Sequence, residues 1–238
     1  MLALNPVTEN EPTRRRNTIS GKTLVELREA IITTRIKPGE GLSETDVAQA
    51  MGISRTPVRE AFARLFEEGL IEISQQSGTR VSLIDIARVK EAIFIRSTLE
   101  SAVVAQAGRV PSAVILDNLD RLIGLQERAR DANDMVALHR TDMTFHEALL
   151  SALGIPQAWL ACQHIAADMI RVQFLVGLRP DHVDAIIQEH RSIVDAVRTG
   201  AFGSASKLMA AHIGNVSIDQ KQMYAEHGQY FRLVEMPS

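Results

Sequence analysis

The sequence predicts a mostly α-helical protein in two parts: three short helices that end in a β-hairpin, followed by an all-α bundle of six helices. Two observations predict this division. Runs rich in strand-forming residues occur at residues 70–74 and 79–83, on either side of a polar loop that contains Gly78. From residue 86 onward, apolar residues recur at the helical period of 3.6 residues and no strand pattern appears.

Composition limits the classes of protein that the chain can represent. Its 238 residues are 45% hydrophobic, which is ordinary for a soluble globular protein. Cys162 is the single cysteine, so no intramolecular disulfide can form, and we expect a reducing, cytoplasmic setting. No signal peptide is recognisable, and no apolar run approaches the roughly 20 residues that a bilayer crossing needs. We therefore do not expect an integral membrane protein.

The overall charge does not favour a polyanionic partner. The formal net charge is −3, and residues 1–83 contain 11 basic and 11 acidic side chains. Binding to nucleic acid depends on Lys and Arg placed at the phosphates. Any nucleic-acid interface must therefore rest on the placement of a few cations.

Four segments are expected along the chain. Residues 1–18 are polar and aperiodic, which is typical of a disordered arm, and the run from Arg14 to Arg16 is more often solvated than bound to phosphate. Residues 19–84 form the first domain, and residues 85–225 form the bundle, with helices near 86–108, 112–130, 134–152, 156–176, 180–199 and 201–223. Residues 226–238 are a C-terminal tail.

Capping signals set the bounds of the short helices in the first domain. The first helix runs from Lys22 to the break "KPGEG". The second begins at Ser43 and stops at Gly52. The third follows at once, with Pro57 in its first turn, and Gly69 ends it. Helix, helix, tight turn, helix and hairpin is the order of a winged helix-turn-helix.

The third helix is polarised along its length. Val58, Phe62, Leu65 and Phe66 form the stripe expected to face inward, whereas the N-terminal end carries arginines that point elsewhere. Cations there are disfavoured by a few tenths of a kcal/mol to about 1 kcal/mol unless an anion approaches. An arginine-rich helix start suits guanine and phosphate recognition. A solvated surface helix, or a winged helix used for protein contact, is the alternative.

The first domain resembles a known family. The stretch "LSETDVAQAMGISRTPVREAFARLFEEGLIE", followed by "SGTRVS", is similar to the DNA-binding domain of the GntR superfamily of bacterial transcription regulators, over residues 20–83. Many relatives carry a basic residue where Thr45 stands, so one DNA contact is expected to be missing. The likeness implies operator contacts by Ser54, Arg55, Thr56 and Arg59, and a minor-groove approach of the wing at Gly78.

Three bundle helices share one anomaly, because each places polar groups on its apolar face. Asp142 and His146 lie one turn apart on the third bundle helix, His190 falls in the stripe of the fifth, and His212 falls in that of the sixth. A buried unpaired carboxylate must be protonated, paired or bound to a cation. Hydrogen-bonded core residues are the plainer interpretation of any one such histidine. Together the four predict a divalent-metal site; an N₃O set suits Zn²⁺, Ni²⁺, Fe²⁺ or Mn²⁺, and zinc is favoured for its availability.

The bundle resembles a second domain of the same superfamily. "RSTLESAVVAQA", "TDMTFHEALLSA", "EHRSIVDAV" and "MAAHI" are similar to the FCD ligand-binding domain of the FadR branch, over residues 86–223, and six helices are closer to its VanR-type subgroup. The likeness implies that the four residues above hold a metal and that Arg96 meets an organic-acid effector. "SALG" stands where relatives often read "ASGN". Arg171 and Asn215 are further candidates for the effector pocket.

These features favour a homodimeric regulator that binds double-stranded operator DNA and responds to a small carboxylate effector. One rival is a metal-dependent enzyme that uses a His₃Asp centre to activate water. Turnover of candidate acids would favour the enzyme, although no separate general base stands out in the sequence. A second rival is a winged-helix interaction module with a structural metal, whose thermal stability would not respond to small acids.

Overall fold

The computed structural model describes residues 18–74, 78–177, 180–215 and 226–232, together with Leu2 and Leu4. Apart from Leu2, Leu4 and Thr18, the expected disordered arm, with Arg14 to Arg16, lies outside these residues. The mostly α fold class is confirmed. The α-helices are α1 Ile19–Ile32, α2 Glu44–Met51, α3 Arg55–Glu67, α4 Ile86–Ala105, α5 Ala113–Asp131, α6 Met135–Ala152, α7 Pro156–Ile165, α8 Ala167–Val176, α9 Pro180–Arg198 and α10 Phe202–Gly214.

Local capping chemistry defines the short helices. The hydroxyl of Ser43 accepts the backbone N–H of Asp46 at the start of α2, and Gly52 ends that helix in the left-handed conformation, at φ +68°. Ser54 is the N-cap of α3 but makes no side-chain cap hydrogen bond. On α3, Val58 and Leu65 are fully buried, whereas Phe66 is 53% exposed. The expected place of Phe66 in the inward stripe is therefore wrong.

A small antiparallel sheet completes the winged fold. The hairpin pairs β2 (Ile71–Ser74) with β3 (Gly78–Val81), from Ile71 opposite Val81 to Ser74 opposite Gly78. A third strand, β1 (Gly41–Leu42), pairs with the other edge of β3 and gives the order β1-β3-β2. The strand β1 was not predicted from the sequence, because two residues directly after a turn are too short to show an alternating pattern.

The structure divides the fourth of the six predicted bundle helices. The predicted helix over 156–176 is α7 and α8, separated at Ala166, so the described residues after 85 contain seven α-helices. Neither proline nor glycine marks the break, and the apolar pattern continues through it. The sixth predicted helix, over 201–223, is described as far as Gly214, and its remaining part lies outside the described residues. Within the described residues, every helix is too short or too polar to span a bilayer.

The chain forms two compact units. The N-terminal unit extends to Ile86 and includes Ile170–Val176 and the described residues 226–232. The second unit comprises Ala87–Met169 and the following helices α9 and α10. Its core is built from α4, α5, α6, α9 and α10, with fully buried residues such as Leu119, Phe145, Ile193 and Met209.

Residues 226–232 had been set apart as part of a tail, but they pack within the N-terminal unit. Ile84 and Phe231 form a parallel β-bridge, with hydrogen bonds from Ile84 N to Tyr230 O and from Arg232 N to Ile84 O. Phe231 is 2% exposed. Arg232 also pairs with Glu72 of β2 at 2.8 Å. The last described residues of the chain thus contribute to the core of its first unit.

Candidate functional site

The structure brings the four predicted metal ligands together. One ligand atom from each of Asp142, His146, His190 and His212 lies within 4.8 Å of the other three. The Nε2 atom of His212 is 3.1 Å from that of His190 and 3.3 Å from that of His146. The Oδ1 atom of Asp142 is 3.5 Å from His190 Nε2 and 4.0 Å from His146 Nε2.

Helix geometry explains why these side chains converge. Asp142 and His146 are one turn apart on α6, which Asp134 caps by accepting the N–H of Ala137. His190 lies on α9 and His212 on α10, and both helices pack in the same core. His146 and His190 are buried, with 1% and 0% of the side chain exposed, whereas Asp142 retains 25%. Asp142 is therefore less buried than the sequence pattern implied.

A second layer of acceptors stands behind the histidines. The Nδ1 atom of His146 lies 2.6 Å from Glu100 Oε2, and that of His212 lies 2.7 Å from Glu189 Oε2. An ionised carboxylate can only accept, so each of these imidazoles donates through Nδ1, and Nε2 is the ring atom left to bind a metal. His190 Nδ1 lies 2.9 Å from the Oε1 acceptor of Gln126.

The Nε2 atoms of the three histidines and Oδ1 of Asp142 face one another. Burial, together with the neighbouring imidazoles and Arg96, holds the pKa of His190 well below its usual value, so that ring is neutral. Lone pairs and a carboxylate oxygen this close together repel unless a cation joins them. Zn–N and Zn–O bonds of about 2.0–2.2 Å place tetrahedral ligand atoms about 3.4 Å apart, close to the separations of 3.1, 3.3 and 3.5 Å, whereas Asp142 and His146 are further apart at 4.0 Å. The cluster can hold a divalent metal ion.

Arg96 is buried and already paired. Its Nε atom donates to Glu100 Oε1 at 2.7 Å, and its guanidinium lies 5.7 Å from the centre of the Trp159 ring. Burial raises the pKa of Glu100, but the larger combined effect of His146 and Arg96 lowers this pKa to about 2. Burial likewise opposes the charge of Arg96, but Glu100, followed by Asp142, raises its pKa. Arg96 is thus tied to the metal cluster through Glu100.

The two other candidates for effector binding lie in different surroundings. Arg171 is fully buried within the N-terminal unit, where its Nη2 donates to the carbonyl oxygen of Ser82. Asn215 donates through Nδ2 to Glu189 Oε1 at 2.9 Å and so joins the network behind His212. The structure therefore places Asn215, but not Arg171, in the network of the candidate metal centre.

Glu100, Gln126 and Glu189 were not predicted from the sequence. A signal was available for the first two. Glu100 falls in the buried stripe of α4 with Val89, Ala92 and Val103, and Gln126 continues the stripe of α5. Both show the anomaly that singled out Asp142. Glu189 lies beside the buried stripe of α9 and is indistinguishable by pattern from a solvated residue.

The predicted DNA-binding residues occupy the exposed N-terminal end of α3. Ser54, Arg55, Thr56 and Arg59 are all exposed. Arg55 donates to Glu44 of α2 at 2.9 Å, and Arg59 donates to the same carboxylate at 3.1 and 3.2 Å. These hydrogen bonds, Arg59 first, lower the pKa of Glu44. Glu44 is thus the anion that offsets two cations at a helix N-terminus.

At the wing, Gly78 begins β3 with φ +72°, a conformation that strains any other L-residue. A Cβ there would meet no atom within 4 Å. The backbone conformation at this position therefore favours glycine, and a lack of space for a side chain is not the reason. The wing tip at residues 75–77 lies outside the described residues.

Two known families match the chain. Residues 91–215 match the FCD domain, and residues 22–81 match the bacterial regulatory proteins of the gntR family. A relative from Streptomyces ambofaciens, an HTH-type transcriptional regulator in an unstable DNA locus, is 31% identical over 209 residues, covering 87% of each chain. The HTH-type transcriptional repressor RspR of Escherichia coli K12 is 29% identical, covering 86% of this chain and 90% of that protein.

Solved structures share the fold. Escherichia coli McbR/YncC superimposes with a TM-score of 0.73 at 20% identity, over 90% of this chain and 99% of that one. A transcriptional regulator from Rhodococcus sp. RHA1 superimposes with a TM-score of 0.68 at 22% identity, over 90% and 99%.

Proposed function

The chain belongs to the GntR family of bacterial regulatory proteins and carries an FCD domain, and from this membership we propose a dimeric, metal-containing regulator that responds to a small carboxylate. It is a helix-turn-helix transcription regulator, and the families that it matches are not enzymes. The observation that carries the metal proposal is the convergence of three imidazole nitrogens and one carboxylate oxygen within 4.8 Å.

In the bundle, Asp142, His146, His190 and His212 hold the metal, with Zn²⁺ favoured and Ni²⁺, Fe²⁺ or Mn²⁺ as substitutes. A bound metal supplies a Lewis-acidic position that attracts an anionic oxygen of the effector. Arg96 adds a second positive charge beside this centre. Asn215 follows α10 and donates to Glu189, the residue behind His212. Arg171 is not assigned to the effector, because it contacts Ser82 in the N-terminal unit.

In the N-terminal unit, the exposed start of α3 enters the major groove of the operator. Arg55 and Arg59 are the candidates for guanine or phosphate contacts, Ser54 and Thr56 for phosphate contacts, and Gly78 lets the wing approach the minor groove. A two-fold dimer matches a palindromic operator, which favours the homodimer. Effector and operator prefer different arrangements of the dimer, with a coupling of about 1–3 kcal/mol.

The proposal is tested by elemental analysis of the purified protein and thermal melts with a panel of small mono-, di- and tricarboxylic acids. We expect one divalent metal per chain and at least one stabilising acid, which at 100 times its Kd adds about 2.7 kcal/mol. His190→Ala should lose both the metal and the acid response. His182→Ala, on the same helix but outside the cluster, should keep both.

Two outcomes would contradict parts of this proposal. Full metal occupancy in His190→Ala would mean that the ligand set is wrong. A wild-type protein that holds metal but shows no response to any acid would favour the interaction module with a purely structural metal.

A further inference from the structure

Each histidine of the cluster is backed by an acceptor from another part of the bundle. Glu100 of α4 stands behind His146, and Glu189 of α9 stands behind His212. Behind His190, the acceptor is Gln126 of α5, which is 0% exposed. Five helices thus contribute to one centre, because α6, α9 and α10 carry the four inward-facing side chains.

The charges of this network do not cancel. With the histidines counted as neutral, the formal charges are −1 for each of Asp142, Glu100 and Glu189 and +1 for Arg96, which leaves a total of −2. The deficit equals the charge of one divalent cation.

The two carboxylates share a second feature, since each divides its oxygens between a histidine and another donor. Glu100 accepts from His146 and Arg96, and Glu189 accepts from His212 and Asn215. These second donors hold the carboxylates in place, which in turn orients the imidazole rings. Gln126 differs, because its Nε2 atom is buried without a hydrogen-bond partner among the described residues.

We propose that Glu100, Gln126 and Glu189 are positioning residues that keep the three imidazoles in the tautomer that coordinates through Nε2, and that the two carboxylates set the charge of the site to suit a dication. This inference rests on the proposed metal site. It predicts that metal affinity follows the charge of the outer acceptors even when every ligand is retained. Glu189 is the position at which to test it, because 29% of its side chain is exposed, whereas Glu100→Gln would leave a buried arginine unpaired.

The experiment compares Zn²⁺ affinity in the full-length wild type, Glu189→Gln and Gln126→Glu, by competition with a chromophoric chelator. A glutamine at 189 can still accept from His212, so the variant removes charge while the hydrogen bond remains possible. We expect Zn²⁺ to bind about 10-fold more weakly or worse. Gln126→Glu adds a carboxylate behind His190 and should bind Zn²⁺ more tightly, an effect that a merely structural role would not produce.

Glu147→Gln is the matched control, because Glu147 is an exposed neighbour of His146 on α6 and the substitution makes the same change in net charge. It should leave Zn²⁺ affinity unchanged. The visible spectrum of the Co²⁺-loaded protein should be the same in wild type and Glu189→Gln, which would show that the ligands are retained.

The outcomes separate this inference from the proposal on which it rests. If the wild type binds Zn²⁺ and Glu189→Gln matches the Glu147→Gln control, the positioning role is overturned. A weaker affinity in Gln126→Glu would overturn the charge argument. A wild type that binds no divalent metal would instead refute the proposed metal function.

Discussion

Glu100 is a buried ionisable side chain of the second unit with two hydrogen-bond partners. It is fully buried, and its two oxygens accept from Arg96 at 2.7 Å and from His146 at 2.6 Å. Replacing a buried ion pair by apolar residues is often harmless, but removing one partner leaves the other charge uncompensated. Glu100 therefore links the stability of the bundle to the geometry of the candidate metal centre.

This link predicts a pH dependence for the metal-free protein. The pKa of Glu100 is about 2, below its ordinary value of 4.5, so its contribution to stability is present above about pH 4.5 and is lost as the pH falls toward 2. The shift corresponds to about 3 kcal/mol. Urea unfolding in a chelator should show Glu100→Gln to be less stable than wild type at pH 7. The gap should narrow as the pH falls below 4.5.

The Glu147→Gln variant is again the control, and its stability should follow the wild type across this range. A gap for Glu100→Gln that stays constant from pH 7 to pH 3 would show that charge is not the source of the stabilisation.

The sequence was sufficient to predict the four inward-facing residues but not what holds them. Asp142 and three histidines interrupt apolar stripes, and such an interruption is visible as periodicity. Their outer acceptors could be paired with them only through tertiary contacts, since Glu100 and His146 are 46 residues apart. Glu100 accepts from both Arg96 and His146 only because the helices pack together, and the apolar pattern of a single helix does not show this packing.

At the scale of the element, the candidate DNA-binding residues of α3 lie at its N-terminal end. The buried face holds the helix in the unit, and Arg28 of α1 forms an ion pair with Glu68 at the end of α3. At the opposite end, Glu44 holds both exposed arginines. Glu44 thus orders both guanidinium groups, and in the proposed DNA complex a phosphate or base would replace this carboxylate as their partner.

Arg59→Ala should weaken binding to the tightest duplex that the wild type selects from a randomised pool, by about 1–3 kcal/mol, or roughly 5- to 150-fold. The physical reason is the loss of a guanidinium that contacts a base edge. Gel-shift titration at fixed salt would measure the loss. The side chain is 68% exposed, so the fold should be unaffected.

Arg64→Ala provides a matched control, since it removes an equally exposed arginine from the far end of α3. It should change binding little. Equal losses in both variants would mean that α3 contributes only general positive charge to DNA binding.

Long elements were easier to predict than short or interrupted ones. The helices α5, α6 and α9 begin and end within one residue of their expected bounds, because each lies between clear breaks such as "GIP" and "TGAFG". The strand β1 depends on pairing with the distant strand β3, and the division at Ala166 is marked by neither proline nor glycine. Phe66 was assigned to the wrong face because it borders the stripe at a helix end.

At the scale of the whole molecule, the N-terminal unit is assembled from both ends of the chain. Phe231 is buried in it and Ile84 forms a bridge to it, although the two residues are 147 positions apart in sequence. Lys37 also lies 5.7 Å from the centre of the Tyr230 ring. This docking of residues 226–232 is not predictable from the sequence, because seven residues without a periodic pattern give no indication of their partner.

Truncation after residue 225 should destabilise the N-terminal unit by about 3–5 kcal/mol, the cost of deleting one buried phenylalanine. Hydrogen exchange of α1 and α3 amides would measure the loss as faster exchange. Trp159, the one tryptophan of the sequence, lies in the second unit and reports independently on that unit through its fluorescence.

A chain that ends at Arg232 is the control, because it keeps every contact of the described C-terminal residues. It should exchange as the full-length protein does. Unchanged protection after truncation at 225 would contradict the contribution of Phe231 to this core.

The docking of Phe231 also has a consequence for biosynthesis. Ribosomes deliver a polypeptide from its amino terminus, and early domains commonly fold while later ones are still being made. Here the segment that contains Ile84 emerges 147 residues before Phe231, the core residue that packs with it. The DNA-reading head therefore completes its packing only after the intervening helical bundle has been synthesised.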